Sequence, residues 1–173
     1  MKKEFYLQQK GVIHMTPMYC KDLSEAIFLA KLMEPMEKTT VRIYEGESLD
    51  SEHNKLLWRS EDAKDYPFGC EETLKKAKII ETYDNAVDLE VYTAGGRYII
   101  GVFCYYDQEE CKRPIAGEID YDYDDGNVTL SFTDSEKAVI QSILDKQEFK
   151  QFQFGMDFIP PMENPKENEL DER

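Results

Sequence analysis

Histidine and cysteine are scarce in this sequence, and their positions form none of the familiar metal or catalytic motifs. The two histidines, His14 and His53, are far apart, and no two cysteines make a CxxC pair. A zinc site or a catalytic triad would therefore need residues from distant parts of the chain. We expect no metal, no cofactor and reduced thiols. The four cysteines are Cys20, Cys70, Cys104 and Cys111.

The later two cysteines lack the surroundings of a reactive thiol. Cys104 shares the inward face of its predicted strand with Ile100 and Val102, which is typical of a small core residue. Cys111 lies among acidic residues that oppose thiolate formation, although two adjacent basic residues favour it. We therefore expect no cysteine nucleophile. An enzyme whose site combines separated Asp, Glu and Tyr residues stays an alternative, because such a site leaves no short motif.

Long apolar runs are also missing. No stretch approaches the ~20 apolar residues that cross a bilayer. The N-terminal stretch MKKEFYLQQKGVIHM has two lysines near its start but contains no apolar run of secretory length. The sequence therefore predicts a cytoplasmic protein that does not enter a membrane.

Basic residues are few compared with acidic ones, and the imbalance is confined to one part of the chain. The sequence has 21 Lys and Arg against 36 Asp and Glu, a net charge of −15. Residues 1–60 contain nine of each sign, which leaves 12 basic and 27 acidic residues in 61–173. Such a field repels nucleic acid and anionic membranes and attracts basic protein surfaces. We expect no direct nucleic-acid binding.

The first 60 residues predict a ββαββ unit. Asp22 and Glu25 form a capping box that begins a helix, and Pro35 prevents the helix from continuing. Short β-prone stretches lie before and after this helix. The predicted strands fall within 3–8, 11–16, 39–48 and 55–62.

The following residues predict an αββββα order. A helical stripe over 70–83 indicates the first helix, and a second capping box, Thr133 with Glu136, begins the last one. Between them, Gly95-Gly96 predicts a two-residue hairpin turn, and the strand after this turn is apolar enough to lie centrally in a sheet. The helical stripe consists of Leu74, Ala77, Ile80 and Tyr83. The expected hairpin register pairs Val91 with Ile100 and Leu89 with Val102.

These patterns together predict an α+β protein of antiparallel sheet with about three helices on one face. We expect one domain over 1–159, with a subdivision near 61–70 as the alternative, and a disordered acidic tail over 160–173. A short C-terminal strand is predicted before the tail, and its apolar residues are candidates for contact with the domain or with a second copy. These residues are Phe152, Phe154, Met156 and Phe158.

The stretch EIDYDYDDGNVTLSF, residues 118–132, predicts a second hairpin with an acidic outer face. Its turn is expected at Asp125-Gly126, because Asp-Gly suits a turn with positive φ. One face would pair Tyr123 with Val128, Tyr121 with Leu130 and Ile119 with Phe132. The other face would pair Asp122 with Thr129, Asp120 with Ser131 and Glu118 with Thr133. A slip of one residue would bury the acids, so the acids are expected to face away from the core.

Water, a metal and a basic protein are the three candidates for what these carboxylates face. Acids on an outer strand commonly guard an edge against pairing. A calcium loop needs Gly at position 6 and Glu at position 12, but counting from Asp120 the glycine falls at 7 and Ser131 at 12. A row of carboxylates on a rigid strand suits a basic partner better than it suits a metal ion. The candidate partner-binding residues are Glu118, Asp120, Asp122, Asp124 and Asp125.

The sequence therefore predicts a non-enzymatic interaction module that presents an acidic β-face to a basic protein. A narrower alternative is a DNA mimic of phage or mobile-element origin, which would inhibit a DNA-binding protein by occupying its phosphate-binding groove. This alternative depends on charge pattern alone. The dispersed-site enzyme described above is the third interpretation.

Overall fold

A computed structural model of the chain has the predicted α+β fold, with two antiparallel sheets and three α-helices within the residues that it describes. It describes residues 1–34, 39–47, 49, 52–63, 69–83, 85–106, 114–123 and 126–147. The C-terminal strand predicted from Phe152, Phe154, Met156 and Phe158, and the tail over 160–173, lie outside the described residues. The prediction of one domain over 1–159 stays a prediction.

The first sheet is formed by the N-terminal part of the chain in the order β2-β1-β3-β4. The second strand begins later than predicted, because the expected stretch 11–16 is mostly a loop in which Ile13 is 86% exposed. Pro17 is tolerated in β2 because β2 is an edge strand. The strands are β1 (Lys3–Gln9), β2 (Thr16–Cys20), β3 (Val41–Glu45) and β4 (Lys55–Arg59).

The second sheet has five strands in sequential order, β5-β6-β7-β8-β9. The strand after the first hairpin turn, β7, is central, as its apolar composition predicts. The strands are β5 (Lys78–Thr82), β6 (Ala86–Thr93), β7 (Gly96–Tyr106), β8 (Pro114–Tyr123) and β9 (Gly126–Thr129).

The register predicted for the β6–β7 hairpin is wrong by two residues. Leu89 pairs with Ile100 and Val91 with Tyr98, so that Ala94 and Gly95 form the turn. Gly96 is instead the first residue of β7, where its φ of +146° requires a glycine. A slip of two residues leaves every side chain on its predicted face.

The helix predicted over 70–83 is confirmed only over its first turn. The structure has a single helical turn, α2 (Glu71–Leu74), followed by β5. Leu74 and Ala77 are buried as the stripe requires, but Ile80 and Tyr83 are more than two-fifths exposed. The adjacent β-branched pair Ile79-Ile80 favours a strand, and pairing with β6 outweighs the helical spacing.

Helix α1 (Leu23–Met33) packs between the two sheets and is buried on almost every side. It contacts β2 and β3 of the first sheet, and its Phe28 ring meets Tyr98 of β7 edge to face at 6.1 Å. Helix α3 (Asp134–Asp145) packs on β8. The helices therefore contribute to one hydrophobic cluster that includes residues of both sheets.

Because α1 is buried so completely, its charged residues need partners inside the protein. Lys31 is 2% exposed and forms an ion pair with Glu136 of α3, which is 1% exposed. The Glu136 carboxylate also accepts hydrogen bonds from the backbone N–H groups of Cys70 and Thr133. Lys31 lies 4.6 Å from the ring centroid of Phe132. This cluster joins α1, α3 and the start of α2.

Both helix starts that were predicted from capping boxes, those of α1 and α3, are confirmed, but only one of them has a complete capping box. At α3, Thr133 and Glu136 bond reciprocally. At α1, Asp22 accepts from the N–H of Glu25, whereas the Glu25 carboxylate accepts from the N–H groups of Lys21 and Ala94. Glu25 thus ties α1 to the β6–β7 turn instead of closing its own cap.

Gln141 of α3 closes part of the outer edge of β8. β9 pairs only with residues 120–123, so the beginning of β8 has no strand on that side within the described residues. The Gln141 side-chain amide accepts from the N–H of Ala116 at 2.9 Å and donates to the carbonyl of Pro114 at 3.0 Å. This amide takes the place of a peptide group on a neighbouring strand.

We predict that Lys31→Met destabilises the protein by about 3–5 kcal/mol, because it leaves the buried Glu136 carboxylate without its cation. Urea unfolding followed by circular dichroism measures the change. Lys75→Met is the matched control, since it breaks the exposed ion pair with Glu72 and should cost about 0.5 kcal/mol or less. Equal losses in the two variants would contradict the importance of the buried pair.

Candidate protein-interaction face

The outer face of the second sheet presents the predicted acidic residues. Glu118 and Asp122 of β8 are exposed and Asp120 is half-buried, whereas Ile119 between them is 1% exposed and points into the core. The carboxylates therefore face away from the helices. Asp124 and Asp125 lie outside the described residues.

The register predicted for this hairpin is wrong by two residues, as in the first one. Asp120 pairs with Thr129, Asp122 with Asn127 and Tyr123 with Gly126. Gly126 begins β9 with a φ of +128°, so the glycine is needed after the turn and not within it. The slip again preserves the faces, and the cross-strand neighbours of the acids stay uncharged.

A shallow trough of about 710 Å³ runs across this face. At its centre Gly101 of β7 lies between Asp88 of β6 and Asp120 of β8 in one row across three strands. Because Gly101 has no side chain, the sheet is open between the two carboxylates. The residues that define this acidic trough are Asp88, Arg97, Ile99, Gly101, Phe103, Asp120 and Asp122.

The carboxylates of the trough have few partners in the described part of the chain. Asp88 accepts from the hydroxyl of Tyr83 at 3.0 Å, and this bond, with one to Glu81, raises the pKa of Tyr83 to about 12. Oδ1 of Asp120 is buried without a hydrogen-bond partner. Arg97 is already paired with Glu90 and lowers the pKa of that carboxyl. The trough thus keeps an excess of negative charge.

Apolar side chains lie between these acids. Phe103 of β7 is more than two-fifths exposed, and Ile99 of the same strand is half-buried. Protein interfaces commonly have aromatic residues at the centre and charged residues at the rim. The face thus combines exposed apolar side chains at its centre with carboxylates on both sides.

Most of the trough was missed by the sequence analysis. Only Asp120 and Asp122 were among its predicted residues, because these two stand in an alternating acidic run. Asp88, Gly101 and Phe103 lie on other strands, and only the correct pairing brings them beside β8. The signal that could have found them is alternation, since each stands next to a buried core residue such as Val87 or Val102.

A second, more apolar groove lies between β2, α1 and the β6–β7 turn. It has a volume of about 470 Å³. Tyr19 and Met33 at its rim are exposed, and nothing in its lining fixes the chemistry of an occupant. It is lined by Lys2, Pro17, Met18, Tyr19, Leu29, Leu32, Met33, Gly95, Tyr98 and Tyr121.

The remaining candidates for chemistry do not converge on a site. His14 lies in the loop before β2, not in a strand as predicted, and both it and His53 are exposed. Cys104 is in the core, as predicted, and burial raises the pKa of its thiol and that of Cys20 to about 12. Cys111 lies outside the described residues. Within the described ranges no three His, Cys, Asp or Glu residues are grouped to hold a metal.

Comparison with known proteins found no match to this chain among family models, curated proteins or solved structures. Among the helices that the structure describes, none has the length and apolar character to span a membrane. The candidate site therefore depends on its own geometry and charge.

The buried thiols are expected to react slowly in the native protein. In a chain carrying Cys111→Ser, iodoacetamide at pH 8 should leave Cys20, Cys70 and Cys104 unmodified, because burial raises each thiol pKa and so disfavours the reactive thiolate. All three should be alkylated in urea. Mass spectrometry counts the modified residues, and rapid native alkylation of Cys104 would contradict its core position.

We predict that Asp120→Asn with Asp122→Asn leaves the free energy of unfolding unchanged or slightly raised. The two amides keep the shape of the carboxylates and remove like charges about 6.5–7 Å apart along one strand. Thermal unfolding at low and high salt measures the effect, and the gain should shrink as salt screens the repulsion. A clear loss of stability would show that the carboxylates serve the fold.

Proposed function

We propose that this protein is a non-enzymatic interaction module that binds a basic surface of another protein through its acidic trough. The observation that supports this most directly is the composition of the trough, where carboxylates on β6 and β8 that form no ion pair within the described residues flank an exposed apolar centre. The trough is built on the central strands of a five-stranded sheet, so it is rigid before any partner arrives.

Charge decides which class of partner fits. The net charge of −15 repels nucleic acid and anionic lipid, and it opposes contact of this face with a second copy of itself. The only cation in the described lining, Arg97, is already paired with Glu90. A basic protein gains electrostatic attraction from the trough and apolar contact from Phe103 and Ile99.

We also propose that the protein is cytoplasmic, because the cysteines that the structure describes are unpaired. Cys20, Cys70 and Cys104 are buried as free thiols, and their distances along the chain give no disulfide framework. Unpaired cysteines are usual in a reducing compartment. Binding to a basic cytoplasmic protein is compatible with this assignment.

The proposal predicts that Asp120→Asn with Asp122→Asn slows association with a partner captured from the native host. The expected change is a several-fold lower association rate at low salt and a flatter dependence on salt, because charges at the rim of an interface act mainly on the encounter rate. Surface plasmon resonance with the purified partner measures both quantities. The matched control is Glu45→Gln with Glu47→Gln, which removes two exposed charges from the other sheet.

Different outcomes separate the alternatives. Equal kinetics for the two double variants would overturn the trough as the docking site. Release of the partner by duplex DNA at low salt would identify the narrower case, a DNA mimic, because both ligands would then share one groove. A hydrolase or transferase activity abolished by Asp88→Asn or Asp120→Asn alone would replace the proposal with the enzyme interpretation.

A further inference from the structure

We infer that the acidic trough accepts an amphipathic basic helix of the partner, lying along β7. This inference rests on the proposed function and names the kind of segment that would bind. Three features of the trough support it: the distance between its carboxylates on β6 and β8, the apolar residues between them, and the backbone pairing of β7 at its centre.

The dimensions of the trough match those of one helix. Asp88 on β6 and the acidic residues on β8 are separated by two strand spacings, about 9.5–10 Å. An α-helix with its side chains is about 10–12 Å across. From Arg97 to Phe103 the trough extends about 20 Å along β7, the length of a helix of about 13 residues.

The chemistry of the trough is arranged in parallel bands. Ile99 and Phe103 lie on the central strand, with Asp88 on one side and Asp120 and Asp122 on the other. A complementary surface has an apolar stripe with cationic side chains on both flanks. Leucine recurring every three or four residues among lysines or arginines gives a helix this pattern.

An extended peptide fits this face less well. At the centre of the trough, residues 100–102 of β7 are paired on both sides, by β6 and β8, so their backbone hydrogen-bonding groups are used within the sheet. An extended segment lying on the face would leave its own N–H and C=O groups without partners at the apolar centre. A helix satisfies those groups internally, and helices are the elements that usually cover sheet faces.

The test uses two 18-residue peptides of leucine and lysine with identical composition. In the first, leucine follows the i, i+3, i+4, i+7 spacing; in the second, leucine is distributed evenly around the helix. Fluorescence anisotropy with the full chain should give a dissociation constant at least about tenfold lower for the first peptide, since burial of one leucine is worth about that factor. Amide shifts in an NMR titration should map to β6, β7 and β8.

A substitution at the centre of the trough provides the second part of the test. Phe103→Asn should remove most of the preference for the patterned peptide, whereas Tyr19→Asn, which changes an exposed aromatic residue of the first sheet, should leave it unchanged. Circular dichroism confirms that each variant is folded. The peptide comparison with the unaltered chain stands even if Phe103→Asn unfolds the protein.

The outcomes distinguish this inference from the proposed function. Equal affinity for both peptides, or shifts that map to the groove around Tyr19 and Met33, would overturn the helix inference. The proposed function would still stand if Asp120→Asn with Asp122→Asn slowed binding of the captured partner. If that double variant had no effect on the partner or on either peptide, both would fail.

Discussion

The buried ion pair between Lys31 and Glu136 holds α1, which packs between the sheets, against α3, which packs on β8. Helix α1 is enclosed so completely that Lys31 is only 2% exposed, and Glu136 of α3 supplies its counter-charge. The Glu136 carboxylate is itself held by hydrogen bonds from the backbone N–H groups of Cys70 and Thr133. Because removing one member of such a pair is costly, α1 and α3 are fixed relative to each other. With the helices on the inner side, the outer face of the second sheet is left open in the described residues.

The sequence predicts the class of fold well and its details less well. Alternation and capping residues identify most strands and both long helices, since each signal is local. The hairpin registers are wrong by two residues because a glycine marks a turn without saying which position it occupies, and a slip of two preserves the buried face. The stretch after Leu74 combines helical spacing with β-branched residues, and only its pairing with β6 decides the outcome.

The candidate site could be predicted only in part for a related reason. The acids of β8 form a run that is visible in one short stretch. Asp88 and Phe103 join them through the order of three strands, which is a property of the assembled sheet and not of any segment. The proposed role of the trough therefore depends on long-range pairing, whereas the charge that attracts a partner is already evident from composition.

The side-chain amide of Gln141 links local unfolding of helix α3 to the risk of aggregation. Helix α3 carries both Glu136, which neutralises the buried lysine, and Gln141, which occupies the backbone groups at the start of β8. Local detachment of α3 would therefore expose an apolar sheet surface and an unprotected strand edge in a single event. A species with an exposed strand edge can pair with strands of other molecules. The packing of α3 therefore also protects the protein against aggregation.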